Sequence, residues 1–268
     1  MAPPKSLTDI KGTYPVAGIQ AGTVGKPEDP LRKVPQRMDL DEWFLSEDPI
    51  HRKQRSLFFP AFQRFCQEDP ESKFSFFQIA GIHGQPLKSW DEPQGSEGSN
   101  GRTWYCHHGE TTFTTWHRPY MLLFEQVIYE YMKDYASSTF SGAERATMLT
   151  AADQWRLPYW DWASKKPIDY KHRDGPVDYN LPRAFLDRGV DIQGPKGPDK
   201  VDNALYQFTM PGGMTMGGTG GKLSNDLKIR NAGSFAVRQV RTSSMLLTNE
   251  CLSIPSARAP ADTPRATR

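Results

Sequence analysis

Residues 113–135 read FTTWHRPYMLLFEQVIYEYMKDY, and their spacing decides the fold class. His117, Met121, Phe124, Ile128, Tyr131 and Tyr135 recur at alternating intervals of four and three. That is one apolar stripe along a helix of about five turns. A histidine opens the stripe and is expected to point inward, where an unpaired ionisable group is costly.

Working outward, two shorter helical patterns precede this one. Leu57, Phe58, Ala61, Phe62 and Phe65 form a helical face within residues 38–67, with Pro60 predicted to kink it or mark a late start. KFSFFQIAGIHG, residues 73–84, is a short apolar helix that ends at His83 and Gly84. SWDEPQGSEGSNGRT, residues 89–103, reads as an exposed loop. After the long helix, GAERATMLTAADQWR is predicted helical and runs into LPYWDW at 157–162. Near the N-terminus, Tyr14–Ile19 has a short β-like character.

The 268 residues suffice for one large domain, and 22 Pro with 22 Gly predict long irregular segments beside the helices. A formal charge of +2, with no Lys/Arg cluster among aromatics, argues against a nucleic-acid surface. No apolar run reaches the length of a membrane span or of a signal-peptide core, so a cytoplasmic location is expected. Cys66, Cys106 and Cys251 are too few and too scattered for a disulfide framework. From Asn231 to Arg268 five arginines face only Glu250 and Asp262, and the segment reads as a disordered or poorly packed tail.

The chemistry concentrates in the histidines. Three of six fall within residues 107–117, next to Cys106. His83 ends a helix, His108 follows Cys106 by two, and His117 opens the long helix. Neutral imidazole is a ligand for copper, zinc, iron and nickel. Taken singly, each is equally a core histidine bonded to a backbone carbonyl. The chain has no CxxC and no H-E-x-x-H, so spacing favours a three-imidazole site over tetrahedral zinc without choosing the metal. Glu125 and Gln126 are candidates to orient a ligand imidazole through its second nitrogen, with a solvent-facing Glu as the alternative. Arg118 and the stretch Trp160, Asp161, Trp162 read as structural.

Five stretches together resemble the first half of a fungal tyrosinase, a type 3 copper protein. They are FFQIAGIHG at 76–84, Cys106-x-His108, FTTWHRPYMLLFEQ at 113–126, LPYWDW at 157–162 and LYQFTMPGG at 205–213. The resemblance implies a mainly α, type 3 copper helical-bundle domain with irregular Pro/Gly-rich flanks and few short strands. It divides the chain into an irregular segment at 1–37, a copper domain at 38–230 and the tail at 231–268. It implies that His83, His108 and His117 hold the first copper, that Cys106 forms a thioether bridge to His108, and that Phe113 packs near the centre. His107 has no counterpart as a ligand.

The family uses two coppers and O2 to hydroxylate monophenols and oxidise o-diphenols to o-quinones, as in melanin formation. Its second triad begins with an H-x-x-x-H pair downstream. Here only His172 follows His117, and His51 stands alone on a polar stretch. The expectation is therefore a truncated member holding at most one copper, with an unrelated tail. The alternatives are an inactive copper-binding half-domain and haemocyanin-like O2 binding. A half-site would also leave the inward face of 117–135 exposed, favouring oligomers or aggregation.

Overall fold

The computed structural model describes residues 3–25, 28–29, 32–83, 90–91, 110–161, 171–172, 175–176, 182–209 and 235–237. Its core is helical. Helix α3, Pro49–Gln67, starts where Asp48 accepts a hydrogen bond from the Ile50 N–H at 2.7 Å and Pro49 takes the first helical turn. The chain before it carries α1, Lys5–Thr8, and α2, Leu40–Leu45. Pro60 neither delays nor ends α3: the helix begins at Pro49, runs through Pro60 and buries it. The predicted face is the buried one, with Leu57, Ala61 and Phe65 fully enclosed.

A short helix, α4, Phe76–Gly81, is capped by Ser75, whose hydroxyl accepts from the Gln78 N–H at 3.2 Å. Helix α5, Phe113–Thr139, is the long helix of the sequence pattern. It packs on α3 through Phe65, whose ring lies 5.8 Å from Phe124 and 5.2 Å from Tyr131. A tight connection at Phe140 and Ser141 leads into α6, Gly142–Asp153, which covers the other side of the pair. Trp155, fully buried, follows α6 and meets Phe58 at 5.7 Å. Gln54 ties three helices together: it accepts from the Trp43 indole N–H at 2.9 Å and donates to the Ala151 carbonyl at 3.2 Å.

The stripe on α5 is covered from Phe124 onward, with Phe124 and Tyr135 half-buried and Ile128 and Tyr131 fully enclosed. Its first two turns differ from expectation, since Met121 and Phe113 are each 43% exposed. The inward face of α5 is thus covered within the chain over most of its length, and only its N-terminal end is open.

Strands are few and short. Two-residue strands β1, Lys171–His172, and β2, Gly175–Pro176, pair with each other. Beyond the 3-10 turn at Arg183–Phe185, β3, Gly189–Gly194, and β4, Gly197–Asp202, form an antiparallel hairpin. Val190 and Ile192 alternate inward onto α3, and the Gln193 N–H donates to the Ser56 hydroxyl at 2.9 Å. This hairpin lies in a region read as irregular. Its signal, Val-Asp-Ile-Gln alternation before Pro-Lys-Gly, is short. Strand β5, Gln207–Thr209, pairs with β6, Phe235–Val237, a piece of the segment expected as a tail; the rest of 231–268 lies outside the described residues.

Tyr14–Ile19 forms no strand. Its backbone is held by Gln126 on α5, whose side-chain oxygen accepts from the Gly18 N–H at 2.9 Å and the Ala17 N–H at 3.1 Å. The Gln126 amide in turn donates to the Tyr14 hydroxyl at 2.7 Å and the Pro15 carbonyl at 3.1 Å. A side chain therefore supplies the partners that a neighbouring strand would have supplied. The loop expected to be exposed at 89–103 begins half-buried: Trp90 packs on Phe74 at 6.1 Å, and Asp91 pairs with Lys73. The remainder of that loop is outside the described residues.

Candidate metal centre

His83 and His117 reach one another from two different elements. Buried Gln78 and Ile79 hold α4 on the core, and the chain leaves it in a turn closed by the His83 N–H on the Ala80 carbonyl at 3.1 Å. His117 stands one turn into α5, which places its imidazole beside that turn. The two Nε2 atoms are 3.1 Å apart.

The His117 Nδ1 lies 2.6 Å from the Phe113 carbonyl oxygen. A carbonyl only accepts, so Nδ1 is the donor, and the neutral form of this imidazole has its Nε2 lone pair toward His83. A metal-ligating histidine commonly has its other nitrogen tied to a carbonyl in this way. Two imidazole nitrogens each about 2.0–2.1 Å from one ion, at an angle near 100°, are themselves roughly 3.1 Å apart. The spacing of the pair and the tautomer of His117 therefore fit a shared metal ion.

Rings surround the pair. Phe113 lies 4.1 Å from the His117 ring, and Trp116 lies 4.8 Å from it. Trp116 and Tyr120 stack at 5.3 Å and border His83 at 6.0 and 5.7 Å. Cys106, His107 and His108 fall outside the described residues, as does Cys251. Among the described residues, no group of three ligating side chains is present.

A family model, the common central domain of tyrosinase, matches residues 73–261, which include both histidines and the long helix.

The chain belongs to the tyrosinase family.

Among its relatives, the tyrosinase of Aspergillus fumigatus is 38% identical over 190 residues, covering 70% of this chain and 29% of that protein. The tyrosinase of Neurospora crassa is 31% identical over 209 residues, covering 75% of this chain and 28% of that protein. The chain thus spans less than a third of the length of either relative. Of solved structures, the melB holo-protyrosinase of Aspergillus oryzae superposes with a TM-score of 0.62 at 33% identity, over 78% of this chain and 35% of that one. A copper-bound mutant of active tyrosinase from the same organism, complexed with L-tyrosine, superposes at 0.60 and 33% identity, over 78% of this chain and 46% of that one. The mainly helical architecture is that of the family. The family match also continues past Asn231.

Two expectations about second partners are corrected. Glu125 is not solvent-facing. It is 1% exposed and accepts from the Arg37 guanidinium and, at 2.7 Å, from the Leu157 N–H. Gln126 is occupied by the N-terminal strap. At His117 the partner of the second nitrogen is the helix's own Phe113 carbonyl, four residues back.

The other histidines and cysteine fall elsewhere. His51 is bonded through Nδ1 to the Ser46 hydroxyl at 2.8 Å, at the start of α3. His172 has its backbone in β1. Burial pushes the Cys66 thiol well above its ordinary pKa, which makes it a poor nucleophile. Trp160 packs on Phe185 of the 3-10 turn at 6.1 Å, and Tyr159 pairs through its backbone with Met38 and Leu40; Trp162 lies outside the described residues. Arg118 is exposed. Sequence reading passed over Trp116 and Tyr120. Their signal was an aromatic row at 116, 120 and 124 that starts one residue before His117 and joins its stripe at Phe124.

Proposed function

We propose that this chain carries the first copper site of a tyrosinase-type oxidoreductase, which uses O2 to hydroxylate monophenols and to oxidise o-diphenols to o-quinones in pigment formation. The observation behind this reading is the convergence of His83 and His117 Nε2 at 3.1 Å with the His117 proton committed to Phe113. His83, His108 and His117 would hold the ion. Cys106, joined to His108 by a thioether, would restrain that third ligand. Copper, when bound, supplies the one-electron redox couple that the chemistry with O2 requires.

The protein's own contributions are positional. The Phe113 carbonyl accepts from His117 Nδ1 and so fixes Nε2 as the nitrogen that would face the ion. The Phe113 ring covers one face of that imidazole. The N-terminal end of α5 carries the exposed Phe113 ring, a surface where a phenol or another polypeptide would approach the site.

These 268 residues contain no H-x-x-x-H pair. As a polypeptide of this sequence, the chain is proposed to bind at most one copper and to lack diphenol turnover by itself. The exposed Phe113 and Met121 favour self-association at the same end. Copper per chain is measured on the purified protein together with oxidation of a monophenol and an o-diphenol. L-tyrosine is the monophenol to use, since it is bound in one solved relative. One copper without turnover supports this reading. Two coppers with turnover overturn the single-site part, and a chain that retains no copper overturns the metal assignment. Sedimentation velocity tests self-association, and a monomer at all concentrations refutes it.

A further inference from the structure

His83 is the ligand candidate carried by a turn. It sits two residues beyond α4, a helix of only six residues, and its backbone N–H donates to the Ala80 carbonyl at 3.1 Å. Its Nε2 meets His117 at hydrogen-bonding distance. The rings beside it belong to α5.

Trp116 and Tyr120 are neighbours on one face of α5, four residues apart, and their rings stack at 5.3 Å with planes 20° apart. The His83 ring lies 5.7 Å from Tyr120 at 33° and 6.0 Å from Trp116 at 54°. With His117 at 5.2 Å, three rings of α5 border the His83 imidazole. The stack is anchored in turn: Tyr120 meets Phe124 at 6.4 Å, and Phe124 meets the fully buried Phe65 at 5.8 Å and Phe76 of α4 at 6.1 Å. The aromatic row thus reaches from the innermost core to a histidine on a loop, and it touches both elements that carry the pair.

We infer that Trp116 and Tyr120 are positioning residues that hold the His83 imidazole with Nε2 toward His117, so that the two-histidine half of the site is arranged before metal arrives. The inference rests on the copper-site reading above. Holding a ligand ring in its bound orientation lowers the ordering cost of binding, and such outer contacts typically carry a 10–100-fold effect on metal affinity.

Copper(I) affinity of the full chain is measured by competition with a chromophoric chelator, and the copper(II) EPR spectrum is recorded on the same samples. Trp116→Leu and Tyr120→Leu should each weaken copper binding by about 10–100-fold and broaden the EPR signal into more than one species. Trp116→Phe and Tyr120→Phe, which keep a ring in place, should restore both readouts. Secondary structure and melting of each variant are compared with the parent, and the ring-retaining variants serve as the test if a leucine variant does not fold. His83→Ala separates the two levels. If it binds copper as tightly as the parent, the site reading itself fails. If it loses copper while both leucine variants keep parental affinity and a single EPR species, or if the phenylalanine variants are as impaired as the leucine ones, the positioning role is refuted.

Discussion

Glu125 shows how one side chain can be taken for a functional group and prove to be a structural joint. Its carboxylate is enclosed and satisfied by Arg37 and the Leu157 N–H, tying α5 to the segment before α2 and to the segment after α6. Glu125→Ala leaves a buried amide and a guanidinium without their acceptor, and should cost roughly 3 kcal/mol in urea unfolding. Arg37→Ala should cost less, because the Arg37 side chain is 40% exposed and water can reach part of the gap. Gly22 makes a similar point with no side chain at all. Its φ is +75°, and a Cβ there would lie 2.3 Å from the Asp153 carbonyl oxygen. Gly22→Ala should destabilise by roughly 2–3 kcal/mol or more, whereas Gly142→Ala, with φ +55° and open space around it, should cost only about 1 kcal/mol. Thermal melts of the two variants distinguish clash from conformational preference.

Among the elements, α3 and α5 do most to build the site, and each uses its sequence differently. On α3, the aromatic face packs inward while the polar Gln54 reaches sideways to α2 and α6. Gln54→Leu preserves size but strands the Trp43 indole N–H in the core, with an expected loss of about 1–3 kcal/mol measured by denaturant midpoint. On α5, two rows divide the labour. His117, Met121 and Phe124 form the stripe that the spacing predicts, while Trp116, Tyr120 and Phe124 form the row that reaches His83. A helix turns 100° per residue, so adjacent positions such as Tyr120 and Met121 share a direction only loosely. Which of the two packs inward is set by the neighbour that arrives, here the turn after α4.

For the whole molecule, two linkage effects follow. Burial raises the Tyr14 pKa to about 12, opposed by its bond from Gln126, and burial likewise raises Tyr129 and Tyr131. An unfolded tyrosine ionises near pH 10. The folded chain therefore retains protons that the unfolded chain releases above that pH. Stability from these groups is fully present below about pH 10 and falls as pH rises toward 12. Urea midpoints should be level with respect to these tyrosines up to about pH 9 and then decline; Tyr14→Phe should flatten the decline. Copper acts in the opposite sense. An ion held only by the folded chain stabilises it, by about 2.7 kcal/mol at a hundredfold excess over Kd. The parent should melt higher with copper, and His117→Ala should not respond.

Periodicity alone placed the three main helices and most of their buried face, because helical spacing and apolar burial are both local properties of a chain. It also marked His83 and His117 as candidates, since ionisable residues on apolar elements are costly unless used. The family resemblance, also carried by sequence, named the metal. What sequence could not supply were the partners: that Glu125 meets Arg37, that Gln126 replaces a strand for Tyr14–Ile19, that the Phe113 carbonyl accepts from His117, and that Trp116 and Tyr120 flank His83. Glu125 and Arg37 are 88 residues apart, and His83 and His117 are 34 apart. Contacts across such intervals depend on how helices dock, and docking is decided by the shape and volume of every side chain at the interface together. The spacing of residues along the chain identified which groups were available for chemistry; only the packing of α4 against α5 decided which of their atoms meet.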